Sequence, residues 1–330
     1  MSTSVHFPGI VRYLILPFIS IIQVIHDLRI SISMTTPVNV LRSGGAAVTA
    51  TGPPSYVLDL RKTCPDASSQ NKPPSEVLSK VQVEKVVLYW FQFNCDRYNA
   101  SAMPRMHRKS SCKFDSLAQH LLYQAMEFGQ SLLTVQIRGM DGKSNDPIYQ
   151  SFVSENKWRN ELPNQDKLNL KHWLPVVIEP VPTNFEALSK TYSYIRSKHR
   201  LACAVPIHAA VSYNVSKQTT TGLQDPLPCG GLRDLLSERA LLDAPISIIQ
   251  IDAVEGYESI IFREFLANSP DHLLPSVIHY EHKVMKNTNI EEYEKVITLL
   301  ESKGYILCYQ GEDFLAMRIR ADIRIRPNVQ

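Results

Sequence analysis

The feature that most restricts how this chain can fold is a short apolar run that ends in a loop with two glycines. Residues 132–137 are apolar and rich in branched side chains, a pattern typical of a buried strand. They lead into Arg-Gly-Met-Asp-Gly, in which Gly139 and Gly142 permit a tight turn. Asp146 and Pro147 then have the residue types of a helix N-cap and first helical position. The segment is predicted to be a strand, a glycine loop and a helix.

Strands and helices alternate along the rest of the chain. The predicted strands cover residues 174–178, 204–208, 246–251 and 277–280, and the predicted helices cover residues 114–128, 184–196, 232–242, 257–266 and 290–302. The last two strands, 305–309 and 314–319, are too close in sequence for a helical crossover and predict a hairpin. The pattern predicts an α/β fold with a mostly parallel sheet and one antiparallel strand. The apolar run 86–91 suits either a core helix or an additional strand.

A carboxylate follows the second predicted strand, at Glu179. At this place in a nucleotide-binding sheet, an acid can accept hydrogen bonds from both hydroxyls of a ribose. The alternative is an acid that is merely exposed at a strand end. Ligands of open sheets lie beyond the carboxyl ends of the strands, where the strand order reverses. The glycine loop, Glu179 and the segment after Ile251 are therefore predicted to converge there.

Composition excludes several classes of protein. Of 330 residues, 44% are hydrophobic and 20% charged, which favours a globular chain over a disordered or fibrous one. The net charge of +3 lacks the excess of a nucleic-acid binder, so no nucleic-acid partner is predicted. The six cysteines show no C-x-x-C pair and no zinc-ligand spacing, so no metal is predicted. A Cys95–Cys112 disulfide is plausible if the chain is secreted, and buried or reduced thiols are the alternative.

The N-terminal part of the chain differs from the rest. Residues 13–25 are apolar and uncharged over the length of a signal-peptide core, so residues 1–34 are interpreted as a signal or anchor segment. A membrane-surface segment or an ordinary folded element are the alternatives. Residues 35–75, rich in proline, serine and glycine, are interpreted as a linker, and 76–330 as the folded domain. The expected location is the secretory pathway or a membrane anchor, and otherwise the cytoplasm.

Four segments together carry a resemblance to a known family. They are Val-Gln-Ile-Arg-Gly-Met-Asp-Gly-Lys-Ser-Asn-Asp-Pro at 135–147, Glu-Pro-Val-Pro-Thr-Asn-Phe at 179–185, Ile-Asp-Ala-Val-Glu-Gly-Tyr-Glu at 251–258 and Tyr-Glu-His-Lys at 280–283. In this order they resemble the motifs V-Q-I-G-A-N-D-G-x-S-N-D-P, E-P-x-P-x-N-F, I-D-x-E-G-[YF]-[DE] and Y-E-H-K of the FkbM-type S-adenosylmethionine-dependent methyltransferases. The resemblance covers residues 131–319.

This resemblance implies the class I methyltransferase (Rossmann-like) sheet with an antiparallel C-terminal hairpin strand, and S-adenosylmethionine as the cofactor. The residues it implies for cofactor binding are Gly139, Asp141, Gly142, Asn145, Glu179 and Asp252. The residues it implies for catalysis are Asp252, Glu255, Glu281 and His282, with His282 or Asp252 preferred as the base.

Two departures from the family pattern bear on activity. Arg138 and Met140 stand where the family has glycine and asparagine, and one extra residue separates Asp252 from Glu255. Arg138 either obstructs the pocket, points away or pairs with the carboxylate of the cofactor. The main hypothesis is an O-methyltransferase for a hydroxyl on a glycan, a lipid or a small molecule, with membrane association through the N-terminal segment. One alternative is a catalytically degenerate binding protein. A weaker alternative is a glycosyltransferase, and the absence of a D-x-D metal site from this sequence argues against it.

Overall fold

The computed structural model describes residues 56–67, 72–94, 113–143, 146–153, 169–211, 229–252, 263, 265–281, 289–310 and 313–319. The contacts divide the chain into Met1–Gly52 and Pro53–Gln330, and every described residue belongs to the second unit. The strands are β1 (Tyr56–Val57), β2 (Glu76–Val77), β3 (Leu132–Ile137), β4 (Trp173–Ile178), β5 (Val205–Ile207), β6 (Ala210–Val211), β7 (Cys229–Gly230), β8 (Ile248–Ile251), β9 (Val277–Glu281), β10 (Tyr305–Gln310) and β11 (Asp313–Arg318). The helices are α1 (Leu60–Thr63), α2 (Lys80–Asn94), α3 (Phe114–Phe128), α4 (Pro147–Phe152), α5 (Pro182–His199), α6 (Leu232–Ser237) and α7 (Ile290–Ser302).

The predicted glycine-loop unit forms between β3 and α4. Asp146 caps α4, because its side chain accepts a hydrogen bond from the Tyr149 N–H, and Pro147 takes the first helical position. The helix before β3 ends as its sequence predicts, with Gly129 in the left-handed conformation at φ 66°.

A seven-stranded sheet of the described residues runs in the order β10-β11-β9-β8-β3-β4-β5. Neighbouring strands from β9 through β8, β3 and β4 to β5 are parallel, and β11 is antiparallel to both β9 and β10. The prediction of a mostly parallel sheet with one antiparallel strand in a C-terminal hairpin is confirmed. From β3 the chain builds outward through β4 and β5, and then returns to the other side of β3 with β8. The strand order therefore reverses between β3 and β8.

Both faces of this sheet are buried, as the apolar strands require. Successive side chains of a strand point to opposite faces, so Leu133 and Leu132 belong to different core clusters. Helices α2 to α5 cover one face, and α6 and α7 cover the other. The fold is a three-layer α/β/α arrangement.

The folded domain begins earlier than the predicted boundary at residue 76. Strand β1 pairs with β2, Leu58 is buried in the core, and the Tyr56 hydroxyl donates to the Ala240 carbonyl at 2.9 Å. Residues 56–67 therefore belong to the fold rather than to a linker. The interpretation of residues 35–75 as a linker was wrong for this part, because it relied on the local content of proline and serine. The burial of Leu58 depends on contacts with residues far away in the sequence.

One disulfide fastens this N-terminal segment. Cys64 is bonded to Cys203, with their Cα atoms 5.9 Å apart, and the bond joins the segment after α1 to the residues before β5. The expected pair, Cys95 and Cys112, lies outside the described residues. Of the other described cysteines, Cys308 is buried and Cys229 is partly exposed.

Two further expectations are resolved by the packing. Residues 86–91 lie in helix α2, with Val87 and Trp90 in the core. Helix α6 ends at Ser237 and not at 242, because Ala240 adopts a φ of 55° and Pro245 follows shortly afterwards. Of the predicted helix 257–266, only residues 263, 265 and 266 are described, and they are helical.

Among the described residues, no helix is both long and apolar enough to span a membrane.

Candidate functional site

The loop after β3 is held tightly against the neighbouring strand. The Arg138 N–H donates to the Ile178 carbonyl at 2.7 Å, and the Gly142 N–H closes a turn on the Gly139 carbonyl at 2.7 Å. Arg138 and Met140 adopt positive φ angles of 63° and 46°, which is uncommon for residues with a side chain. Arg138 thus occupies a left-handed position directly after the strand.

Gly139 is required here by space rather than by its φ angle. A Cβ atom at this position would lie 2.2 Å from Cγ1 of Val177 on β4. At position 142 both the available space and the φ angle require glycine, because φ is 68° and an added Cβ would lie 2.8 Å from Leu188. The two predicted glycines therefore allow the loop to pack directly on β4 and α5.

Glu179 lies under this loop and is completely buried. Its Oε2 accepts the Met140 N–H at 2.8 Å, and its Oε1 accepts the Val181 N–H at 2.8 Å. The interpretation of Glu179 as an acid merely exposed at a strand end is wrong. Its carboxylate joins the glycine loop to the start of α5, so both oxygens are engaged by backbone.

Asp146 is a second buried carboxyl near the same loop. Its Oδ1 accepts from Gln136 Nε2 at 2.8 Å and from the Tyr149 N–H at 2.9 Å. The Tyr192 hydroxyl in turn donates to Gln136 Oε1 at 3.0 Å. Among the described residues, Oδ2 of Asp146 has no hydrogen-bond partner. Burial, with a smaller contribution from the negative charge of Asp252, raises the pKa of Asp146 to about 6.

A small cavity opens where the strand order reverses. It is lined by Gln136, Ile137, Arg138, Gly139, Met140, Asp146, Gln250 and Asp252. Its volume of about 10 Å³ is enough for a single water molecule. Oε1 of Gln250 is buried in its wall and, within the described part of the chain, has no hydrogen-bond partner. Its lining therefore includes two buried acceptor atoms, Asp146 Oδ2 and Gln250 Oε1, for which the described residues supply no donor.

Asp252 follows β8 on the other side of the cavity. Its N–H donates to the Ile137 carbonyl at 3.2 Å, which places it beside the end of β3. Partial burial raises the pKa of its carboxyl, and the positive charge of Arg138 opposes this effect. Asp252 and Arg138 thus face the same cavity with opposite charges.

The structure brings some of the predicted site residues together and leaves others aside. Gly139 and Asp252 line the cavity. Asp141 faces its own loop, where Oδ1 accepts the Lys143 N–H at 3.0 Å. Glu281 ends β9, and its backbone pairs with Asp313. Asn145, Glu255 and His282 lie outside the described residues.

Three polar residues of the cavity were missed by the sequence analysis. Asp146 was interpreted only as a helix cap, and Gln136 and Gln250 only as members of apolar strands. The available signal was their position, since each glutamine is the second-last residue of its strand. The two are direct partners in the β3–β8 register. A polar side chain in an otherwise apolar strand needs a partner, which makes such a residue a site candidate.

No protein-family model and no curated protein matches this chain. Among solved structures it is similar to fibrillarin from Aeropyrum pernix in complex with S-adenosyl-L-methionine, at 10% identity and a TM-score of 0.31, over 57% of this chain and 66% of that chain. It is also similar to the magnesium protoporphyrin IX methyltransferase ChlM from Synechocystis PCC 6803 with bound SAM, at 10% identity and a TM-score of 0.31, over 72% of this chain and 97% of that one.

A third similar structure is the precorrin-6y C5,15-methyltransferase from Geobacter metallireducens GS-15, at 13% identity and a TM-score of 0.28, over 61% of this chain and 87% of that one. The chain spans just under two thirds of the A. pernix fibrillarin chain. The strand order and direction of the sheet itself define the fold class as the Rossmann-like class I methyltransferase fold.

Proposed function

We propose that this chain is an S-adenosylmethionine-dependent methyltransferase. The observation that supports this best is the position of the acceptor-rich cavity between the ends of β3 and β8, where the strand order reverses. Open α/β sheets bind their ligands at this point. The proposal rests on that position together with the four sequence motifs that resemble those of the FkbM-type family.

The residues around the cavity fit one end of this cofactor. Asp146 Oδ2 and Gln250 Oε1 are buried acceptors that no described residue supplies with a donor, and Asp252 adds a carboxylate. These acceptors form one part of the lining, apart from Arg138, and suit a ligand that is cationic and carries N–H groups. When bound, S-adenosylmethionine supplies a methyl group activated by the positive charge on its sulfur.

Glu179 does not fit the ribose in the observed conformation. Both of its oxygens already accept backbone N–H groups, and the side chain is completely buried. A ribose could reach it only if the loop that carries Met140 moved. We therefore assign to Glu179 the fastening of the loop and derive no ribose contact from it.

We further propose that the methyl acceptor is a hydroxyl on a glycan, a lipid or a small molecule, and that Asp252 takes its proton. Asp252 lines the cavity, and its burial raises the pKa of its carboxyl, which makes it a stronger base. Glu255, Glu281 and His282 remain candidates from the sequence for the same role.

Calorimetry with S-adenosylmethionine tests the cofactor proposal. We expect binding of the purified chain in the micromolar range, and transfer of one methyl group to a hydroxyl acceptor detected by mass spectrometry. Asp252→Asn keeps an acceptor oxygen but not the charge, so its binding of the cofactor should fall much less than its rate of transfer. An absence of heat at millimolar S-adenosylmethionine would overturn the proposal.

A second function is favoured by the state of Glu179 and by the size of the cavity. With Glu179 engaged and room for one water, the site resembles that of a protein that keeps the fold and binds a partner without catalysis. The affinity for S-adenosylmethionine distinguishes the two functions, since a non-catalytic binding protein would bind it weakly or not at all. Transfer activity would exclude it.

We propose that the chain matures in the secretory pathway, directed or anchored there by residues 1–34. The Cys64–Cys203 disulfide supports this, because such bonds persist in oxidising compartments. Fusing residues 1–40 to a reporter should deliver it to the endoplasmic reticulum, and peptide mapping without reduction should recover the linked pair. A diffuse cytosolic reporter, together with reduced cysteines in the purified native protein, would contradict this.

A further inference from the structure

The two edges of the seven-stranded sheet differ in how they are protected. At one edge lies β5, which has only three residues, and its middle residue is Pro206, which has no N–H to donate. At the other edge lies β10, which has six residues and contains neither a charge nor a proline. Such an edge readily pairs with another strand, and for this reason native proteins interrupt or cover it. The composition of β10 is therefore typical of a strand that pairs on both sides.

Alternate residues of β10 direct their backbone groups away from β11. The Ile319 N–H donates to the Gly304 carbonyl at 3.4 Å, which fixes the phase of the hydrogen bonds between these strands. Because such bonds alternate along an antiparallel pair, Ile306 and Cys308 are bonded to β11, whereas the N–H and C=O of Leu307 point away from it. Among the described residues, no strand lies beyond β10 on that side. Leu307 thus presents a donor and an acceptor at the outer edge of the sheet.

Helix α2 adds an apolar flank beside this edge on one face of the sheet. It packs against β11 and α3, and Trp90 Nε1 donates to the Ser116 hydroxyl of α3 at 3.1 Å. Val81 and Leu88 lie roughly opposite Trp90 around the helix axis, at about 100° per residue, so they point away from α3 and toward the side of β10. Both are only partly buried. The exposed Lys85 lies between them, and its stem can cover apolar surface while its amine stays in water.

Helix α7 borders the same edge on the opposite face. It packs against β10, and Ile297 and Leu299 of this helix are, like Leu307, only partly buried against the core. The two helices and the strand between them form a strip about 20 Å long and about 30 Å wide. Two copies that meet through this strip would bury about 1,200 Å² in total, which reaches the lower end of the range for stable protein interfaces. The strand alone would bury much less, so both flanking helices are needed.

We propose that β10 pairs with β10 of a second copy of this chain, antiparallel and about a two-fold axis, so that the two seven-stranded sheets become continuous. A second copy fits this edge because a two-fold axis brings the same uncharged strand to both sides of the interface. It also places the apolar flank of α2 beside the same flank of the other copy. The proposal goes beyond the proposed function and depends neither on the cofactor nor on the reaction.

Light scattering after gel filtration of the full chain tests this pairing. We expect twice the mass of one chain at about 50 µM, and a mixture on dilution, as for an interface of modest area. Leu307→Lys puts a charge on the edge, and Leu307→Pro removes the outward N–H but no bond to β11, so each should weaken association at least 10-fold. Val57→Lys is the matched control, because Val57 is 60% exposed on β1, outside the seven-stranded sheet, and should leave the mass unchanged. All variants keep residues 1–34, so any association through that segment is common to them.

Hydrogen exchange of the wild-type chain tests the same pairing without a substitution. The Leu307 amide should exchange at least 10-fold more slowly in the dimer than in the dilute single chain, whereas the Cys308 amide, bonded to β11, should be slow in both. A single-chain mass at every concentration would overturn the proposal, and so would a dimer that survives both Leu307 variants. A Leu307 amide that is already slow in the single chain would also overturn it, because a segment of the same chain would then cover the edge.

Discussion

Two buried carboxyls close to the same loop are held in different ways. Glu179, after β4, has both oxygens bonded to backbone N–H groups, from Met140 and Val181. Asp146, before α4, has two donors on one oxygen and, among the described residues, none on the other. Both side chains are nearly or fully inaccessible to solvent. Their difference lies in hydrogen bonding and not in burial.

This comparison separates a structural acid from a candidate binding acid. A buried carboxylate whose two oxygens both accept hydrogen bonds stabilises the fold. Removing it destabilises the fold, because its N–H donors are left without acceptors. A buried carboxylate with a free oxygen in a cavity is held there at a cost, which appears as the raised pKa of Asp146. At this site, unsatisfied polar atoms indicate a binding position better than burial does.

The largest effect is expected from Glu179→Ala. It leaves two partly buried backbone N–H groups without their acceptors and empties a fully buried site, so we expect a loss of about 2 kcal/mol in the free energy of unfolding. Glu179→Gln keeps one carbonyl oxygen and should cost about half as much. Urea unfolding measures both. An unchanged midpoint for Glu179→Ala would show that this carboxylate does not fasten the loop.

Gly139→Ala tests whether the loop must approach β4 for Glu179 to hold it. The added Cβ would lie 2.2 Å from Val177, so the loop must shift, at about 2 kcal/mol by the usual cost of overpacking. Amide exchange at Met140 should accelerate as its bond to Glu179 lengthens. Gly304→Ala is the control, since it adds a Cβ in open space at a φ of 82° and should cost about 1 kcal/mol. Equal losses in the two variants would contradict the role of close packing.

Asp146→Asn should stabilise the protein at neutral and alkaline pH. Because folding raises the pKa of Asp146 from 3.8 to about 6, the folded state binds a proton that the unfolded chain loses between these values. Stability from this group therefore falls as the pH rises through that window, and the penalty is fully present above it. We expect a gain of about 2 kcal/mol for the variant at about pH 8, less than the ~3 kcal/mol that the whole shift allows.

Urea unfolding across pH measures this gain, which should vanish below about pH 4. His279 is a buried histidine whose burial lowers its pKa to about 4, so it contributes a slope of the opposite sign in both proteins. The difference between variant and wild type therefore isolates Asp146. A gain that is constant with pH would mean that the carboxyl is not perturbed.

Much of the fold could be predicted because its signals are local. The run Leu132–Ile137, the cap at Asp146 with Pro147, and the left-handed end at Gly129 each depend on a few neighbouring residues. The hairpin of β10 and β11 followed from the short connection between two apolar runs. The early start of the domain and the Cys64–Cys203 bond depend on residues far apart in the sequence, and neither was predicted.

The site divides in the same way. The sequence by itself determined that a glycine loop, an acid after the next strand and Asp252 would end neighbouring strands, because parallel strands bring their carboxyl ends to one edge. Only the tertiary structure decided that both oxygens of Glu179 accept backbone N–H groups, and that no described residue donates to one oxygen each of Asp146 and Gln250 in a shared cavity. The physical reason is that a carboxyl or amide group is chemically the same whether or not its hydrogen bonds are satisfied. The donors that satisfy it come from the segments that pack against it in the folded chain.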